Sequence, residues 1–95
     1  YQGKRPTQTI ATASSTIASL AAGTDYIFSQ PLTLLNITEV VVSVNETRLF
    51  FTSGSTIPLI NMPSSIKTIG SFTLEPDTQY IVTFCYGTVK MEKAV

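Results

Sequence analysis

The feature that most constrains the fold is a strict alternation of side-chain types over Tyr80–Tyr86, directly after a turn signal at Pro76-Asp77. Successive side chains of a β-strand point to opposite faces, so every second residue of this stretch lies on the same side. One side carries only large apolar or aromatic groups, which predicts a strand with a buried face. The predicted inward set is Tyr80, Val82, Phe84 and Tyr86.

The same stretch carries a family resemblance. The spacing Leu74-x-Pro76-x-Thr78-x-Tyr80 resembles the tyrosine corner of fibronectin type III and other immunoglobulin-like β-sandwiches. In those families the tyrosine hydroxyl hydrogen-bonds to the main chain upstream and holds a crossing between the two sheets. The resemblance implies that Leu74, Pro76 and Tyr80 form such a corner here.

An internal echo accompanies this motif. The segment Leu20–Phe28 aligns without gaps on Leu74–Val82, with identical Leu, Thr, Tyr and Ile residues. In each copy a turn pair precedes a strand whose first inward residue is tyrosine. Convergence on favoured turn chemistry is the preferred interpretation, and a duplicated half-sandwich is the alternative. Because there are only two copies, a solenoid repeat is not predicted.

Composition excludes several classes of protein. The chain has 95 residues, enough for one domain, and only 13% of them are charged, which is about half the usual share. Ser and Thr together make up 25 residues, and β-branched Thr favours strands. Six basic and six acidic residues cancel, and no basic stripe of the kind that binds nucleic acid is present.

No catalytic residue, cofactor or metal site is predicted. The chain contains no histidine and a single cysteine, Cys85, so a thiol nucleophile lacks its usual base and a metal lacks nitrogen and sulfur ligands. We interpret Cys85 as a small half-buried hydrophobe. Asp25 with Glu75 or Asp77 would be the nearest approach to an acid–base pair, but these positions are typical of turns. No apolar run approaches the roughly 18 residues of a membrane span.

Residues 1–15 are predicted to be an N-terminal arm or tether, and residues 16–95 a single β-sandwich domain. In the arm, Lys4, Arg5 and Ile10 are candidate assembly residues, since a polar segment with a few apolar side chains is typical of one that orders on a neighbour. Thr7–Ala22 has a weak helical spacing, but its many Ser and Thr residues favour one or two strands. Because the chain begins at Tyr1, we expect a processed product, an excised domain or the ordered part of a longer chain.

Alternation and turn residues predict seven to nine short strands. The clearest hairpin is predicted between Val40–Val44 and Arg48–Thr52, around Asn45-Glu46. Further predicted strands are Asp25–Gln30, Thr56–Asn61 with an edge-defining Pro58, Ile66–Leu74 with a bulge, and Thr88–Lys93. The predicted fold class is all-β, an antiparallel β-sandwich of Ig-like or jelly-roll-like type.

Two triplets, Asn36-Ile37-Thr38 and Asn45-Glu46-Thr47, match the N-glycosylation acceptor pattern. Asn36 and Asn45 therefore keep an extracellular origin open as an alternative location. In a chain this rich in Ser and Thr, two such matches are also expected by chance.

The hypothesis that best fits these features is a non-enzymatic structural or assembly protein located in a virion, as a capsid-decoration, head-fibre or tail subunit. Removing a neutral Ser/Thr-rich surface from water costs less free energy than removing a charged one. Edge strands with few charges can also pair with a strand of a partner. The chain is similar in these respects to small phage virion proteins. The expected partners are copies of itself or other virion subunits. The alternative is an extracellular adhesion or carbohydrate-binding β-sandwich module from a longer chain.

Overall fold

The computed structural model describes residues 6–43, 46–54, 59–61, 74–85 and 88–94. These residues are all-β apart from one 3-10 helix at Leu32–Leu35. The strands are β1 (Thr7–Ile10), β2 (Ile17–Leu20), β3 (Asp25–Phe28), β4 (Glu39–Val42), β5 (Thr47–Thr52), β6 (Leu59–Asn61), β7 (Gln79–Cys85) and β8 (Thr88–Lys93).

The strands form two sheets. Sheet A has the order β1-β3-β5-β7-β8, and sheet B has the order β2-β4-β6. The first six strands alternate between the sheets, so the chain winds as a coil whose rungs are β1 with β2, β3 with β4, and β5 with β6. Strands of successive rungs are parallel neighbours in each sheet. β7 and β8 then extend sheet A beyond β5 as antiparallel strands.

The predicted antiparallel arrangement is wrong for the pairings among the first six strands, which are parallel, and the predicted hairpin is wrong as well. β4 lies in sheet B between β2 and β6, whereas β5 lies in sheet A between β3 and β7. Alternation shows which side chains of a strand are buried, but it carries no information about the neighbouring strand. Because the chain crosses from one sheet to the other between β4 and β5, two well-patterned consecutive strands do not pair. The parallel winding covers three rungs, whereas the two-copy echo in the sequence predicted no repeated coil.

The inward faces of both sheets contribute to one hydrophobic cluster. Tyr80, Val82 and Phe84 of β7 are at most 2% exposed, which confirms the predicted inward face for these three residues. Val40 and Val42 bring sheet B into the same cluster. Its remaining members are Leu20, Tyr26, Phe28, Leu32, Leu35, Ile37, Leu49, Phe51 and Met91.

The N-terminal segment joins the domain. β1 pairs in parallel with β3, placing Thr7 beside Asp25 and Ile10 beside Phe28. Ile10 is half-buried against the core cluster. The segment predicted as an arm over residues 1–15 thus contains the outermost described strand of sheet A, and the prediction of strands over Thr7–Ala22 is confirmed by β1 and β2.

Several predictions fall outside the described residues. They concern Lys4, Arg5, Asn45, Tyr86, Pro58 and the strand proposed before Leu74. Asp25–Gln30 and Thr88–Lys93 are confirmed as strand segments, with β3 ending at Phe28.

Candidate assembly surface

The two tyrosine motifs have matching local geometry. The Tyr80 hydroxyl accepts a hydrogen bond from the Glu75 N–H at 2.6 Å, and the Tyr26 hydroxyl accepts one from the Ala21 N–H at 3.0 Å. In each case the donor lies five residues before the tyrosine. Leu74 is half-buried against the core, whereas Pro76 is exposed in the turn.

The turns themselves correspond as well. Gly23 and Asp77 occupy equivalent positions in the two motifs, and both have a positive φ, 77° and 55°. Glycine adopts that backbone conformation without strain, and Asp tolerates it better than most residues. The two turns therefore share their shape as well as their tyrosine contact.

Both turns contact β5. At its start, the buried Thr47 hydroxyl lies 3.1 Å from the Ala21 carbonyl oxygen. Just beyond its end, the Asp77 N–H donates to the Ser53 carbonyl oxygen at 2.6 Å. These contacts link both tyrosine turns to the two ends of a central strand of sheet A, so the turns have a structural role.

An ion pair that the sequence did not indicate lies on the outward face of sheet A. Arg48 donates from Nε to Asp25 Oδ1 at 2.9 Å and from Nη2 to Asp25 Oδ2 at 2.5 Å. Asp25 is only 8% exposed, and this hydrogen bonding raises the pKa of the Arg48 guanidinium above its ordinary value. The guanidinium also lies 5.7 Å from the centre of the Phe50 ring. The register of β3 against β5 places Asp25 beside Arg48. The sequence pattern within each strand does not give that register, so the pair could not be predicted.

Two of the three acidic residues considered for chemistry form ion pairs. Asp25 binds Arg48, and Glu75 lies 2.6 Å from the ammonium of Lys93. In the part of the chain that the structure describes, no three His, Cys, Asp or Glu residues are grouped to hold a metal. Cys85 is half-buried on the outward face of β7. A search of the described residues finds no helix of the length and apolarity needed to cross a bilayer.

Several apolar side chains face solvent on both sheets. Ile17 and Val41 in sheet B are 48% and 38% exposed, and Ile27 in sheet A is 36% exposed. Leu34, on the 3-10 helix, is 67% exposed. Described aromatic rings other than Phe50 are buried, so the exposed apolar surface of the described residues is mainly aliphatic.

The two outer strands of sheet A differ in charge and in backbone exposure. β8 carries Lys90, Glu92 and Lys93, whereas β1 carries no charged residue. Pro6 and Ile10 accept hydrogen bonds through their carbonyl oxygens from β3 and the residue after it. Because alternate residues of a parallel strand bond to the same neighbour, the N–H and C=O of Thr9 point away from β3.

The outer strand of sheet B is covered locally. The Ser15 hydroxyl accepts a hydrogen bond from the Ile17 N–H at 3.0 Å and donates to the Ile17 carbonyl oxygen at 2.8 Å. The carbonyl oxygens of Thr16 and Leu20 accept hydrogen bonds from backbone N–H groups at or next to the two ends of β4. The backbone groups of Ile17 therefore point away from β4. A side chain thus occupies backbone groups of β2 that a partner strand would need.

A cleft of about 300 Å³ opens beside the first rung. Gln8 and Ile10 of β1 line it together with Ala18 and Leu20 of β2 and with Tyr26. Ile10, predicted as an assembly residue, therefore lies where the edge of sheet A meets this cleft. Thr9 and Ser15 were not among the predicted site residues.

Of the two predicted glycosylation residues, the structure describes Asn36. It is exposed, ends the 3-10 helix and has a positive φ of 61°. The Thr38 hydroxyl of the same triplet donates to the Thr16 carbonyl oxygen at 3.3 Å.

The chain matches no protein-family model, and no curated protein or solved structure is significantly similar to it.

Proposed function

We propose that this protein is a non-enzymatic assembly subunit that acts through protein–protein contacts, as a virion component such as a capsid-decoration, head-fibre or tail subunit. The observation that carries the proposal is the neutral first rung. Residues 6–24 include no charged side chain, and most of them are exposed. An exposed, uncharged stretch of this length is unusual in a surface that remains solvated, because charged residues ordinarily make up about a quarter of a chain.

Desolvation explains why such a surface suits assembly. Burying a hydroxyl or amide costs a few kcal/mol at most when partners are found, whereas burying an unpaired charge costs far more. Charged residues are accordingly depleted from the cores of protein interfaces. The exposed Ile17, Ile27 and Val41 add apolar area on both sheets. These features favour contact with other subunits over contact with charged ligands.

The second candidate is an extracellular adhesion or carbohydrate-binding module. The observation that favours it is the exposure of Asn36 within an acceptor triplet. Sugar binding commonly uses exposed aromatic rings, and Phe50 alone among the described aromatics is partly accessible. The virion assembly role is therefore our conclusion.

Sedimentation velocity across a wide range of protein and salt concentrations tests the proposed function. We expect association that grows with protein concentration and persists at high salt, because screening weakens contacts between charges but not between neutral groups. A chain that stays monomeric throughout would contradict self-assembly. Retention on a glycan array by that monomer would favour the adhesion module.

A further inference from the structure

We propose that β1 is the strand through which two copies of this protein pair, antiparallel about a twofold axis, with Thr9 opposite Thr9 of the second copy. This inference rests on the proposed assembly function and names the partner and the contact. Sheet A would then continue across the axis from one copy into the other. Edge strands are the usual site of this kind of addition.

The first support is the direction of the backbone groups. Since Pro6 and Ile10 use their carbonyl oxygens toward β3, the N–H and C=O of Thr9 are directed outward. In an antiparallel pair, two opposed residues of this kind exchange both N–H···O bonds. Thr9 and its copy would therefore satisfy each other about the axis.

The second support is that the other edges are less suitable. The Ser15 hydroxyl occupies the backbone groups of Ile17 in β2. β8 carries Lys90 and Glu92, and charged side chains on an edge strand oppose the approach of another strand. Of the outer strands with described side chains, β1 combines a neutral sequence with outward backbone groups.

The third support points to a second copy as the partner. A twofold axis places the same residue types on both sides, so any charge near the axis would face a like charge. β1 has none, and cross-strand Thr pairs are favourable. The pairing would also place Ile10 opposite Gln8 of the second copy, and both side chains line the cleft beside the first rung.

Cysteine crosslinking tests the register. Opposed residues of a hydrogen-bonded antiparallel pair have Cα atoms about 5.5 Å apart, which is within the range of a disulfide. In a Cys85→Ala background, Thr9→Cys should form a covalent dimer under mild oxidation. Gln8→Cys is the matched control, because Gln8 and its copy would be two residues out of register and beyond the roughly 7 Å limit. Equal crosslinking of both variants, or crosslinking of Gln8→Cys alone, would overturn the inference.

A charge substitution tests the interface without crosslinking. Thr9→Lys should weaken association by at least about tenfold, because like charges across an interface cost several kcal/mol. Gln30→Lys, at an exposed position outside β1, adds the same charge and should leave association unchanged. Circular dichroism establishes that both variants are folded. If the wild type associates and Thr9→Lys associates equally well, this inference fails while the assembly function stands. A wild type that stays monomeric contradicts this inference and self-assembly alike.

Discussion

The two outer strands of sheet A, β1 and β8, meet the rest of the molecule very differently. β8 has six residues, pairs antiparallel with β7, and contributes Met91, which is 5% exposed, to the core. β1 has four residues, pairs in parallel with β3, and reaches the core only through the half-buried Ile10. The strongly anchored strand carries the charges, and the weakly anchored one is neutral.

Under the proposed pairing, this difference separates an edge of sheet A that opposes partner strands from one that accepts them. Charged side chains on an edge strand discourage pairing with another chain. In repeat-like coils, terminal units need a polar cap to remain solvated. β7 and β8 extend sheet A beyond the third rung, while the described residues place no strand of sheet A outside β1. We therefore expect association through the first rung.

The largest effect is expected on the stability of β8. Met91→Ala removes a buried side chain and should lower the free energy of unfolding by about 2–5 kcal/mol, the usual range for such a truncation. Urea denaturation monitored by circular dichroism measures it. An effect below that of Ile10→Ala would contradict the stronger anchoring of β8.

A smaller loss is expected from Ile10→Ala on β1. Ile10 is only half-buried, so the lost transfer free energy should be roughly 1–2 kcal/mol, at about 0.8 kcal/mol per buried methylene. The same denaturation experiment gives the value. A loss as large as that of Met91→Ala would show that β1 is as firmly held as β8.

Removing the charges of β8 should open its edge. We expect the triple variant Lys90→Thr, Glu92→Thr and Lys93→Thr, made in the Thr9→Lys background, to regain part of the association lost through β1. Sedimentation velocity measures this, with Thr9→Lys alone as the control. If association does not recover, the charged side chains of β8 are not what prevents another strand from pairing with it.

The smallest effect is expected from Lys93→Gln. Lys93 and Glu75 are exposed, and exposed pairs contribute little to stability. Hydrogen bonding to Glu75 raises the pKa of Lys93 above its ordinary value of 10.5. Any stabilisation by the Lys93–Glu75 pair is therefore present in full below the ordinary pKa and is lost as pH rises through the folded-state pKa of Lys93. Denaturation measured across alkaline pH tests this, with Lys90→Gln as the matched control. The Lys90 ammonium lies 3.7 Å from Glu92 in a second exposed pair. A larger loss from Lys93→Gln at high pH than at neutral pH would contradict this sign.

Which side chains face inward could be predicted from the sequence. The inward positions of Tyr80 and Val82 follow from period-two alternation, because one face of each strand packs on the core. Pairing could not be predicted in the same way. β3 lies beside β5 through Asp25 and Arg48, which are separated by a whole turn of the coil. The local patterns of β3 and β5 do not show that the intervening strand, β4, lies in the opposite sheet.

The candidate surface was only partly predictable for the same reason. An apolar residue in a polar segment marks Ile10 as a candidate contact residue, but only the strand order shows that its strand lies at the edge of sheet A. Thr9 and Ser15 gain their roles from the direction of backbone groups in β1 and β2. The one available signal was the absence of charge from Pro6 to Thr24.

Amide hydrogen exchange of Thr9 and Met91 at low and high protein concentration tests the assembly surface most directly. The Ala94 N–H donates to the Gln79 carbonyl oxygen of β7, so every second residue counted back from Ala94 also directs its backbone groups toward β7. Met91 lies between two such residues, and its N–H, like that of Thr9, therefore points away from the neighbouring strand. We predict that protection of the Thr9 amide rises with concentration as copies pair, while that of Met91 does not change. Protection gained at Met91, or an associating protein whose Thr9 amide exchanges at a constant rate, would contradict pairing through β1.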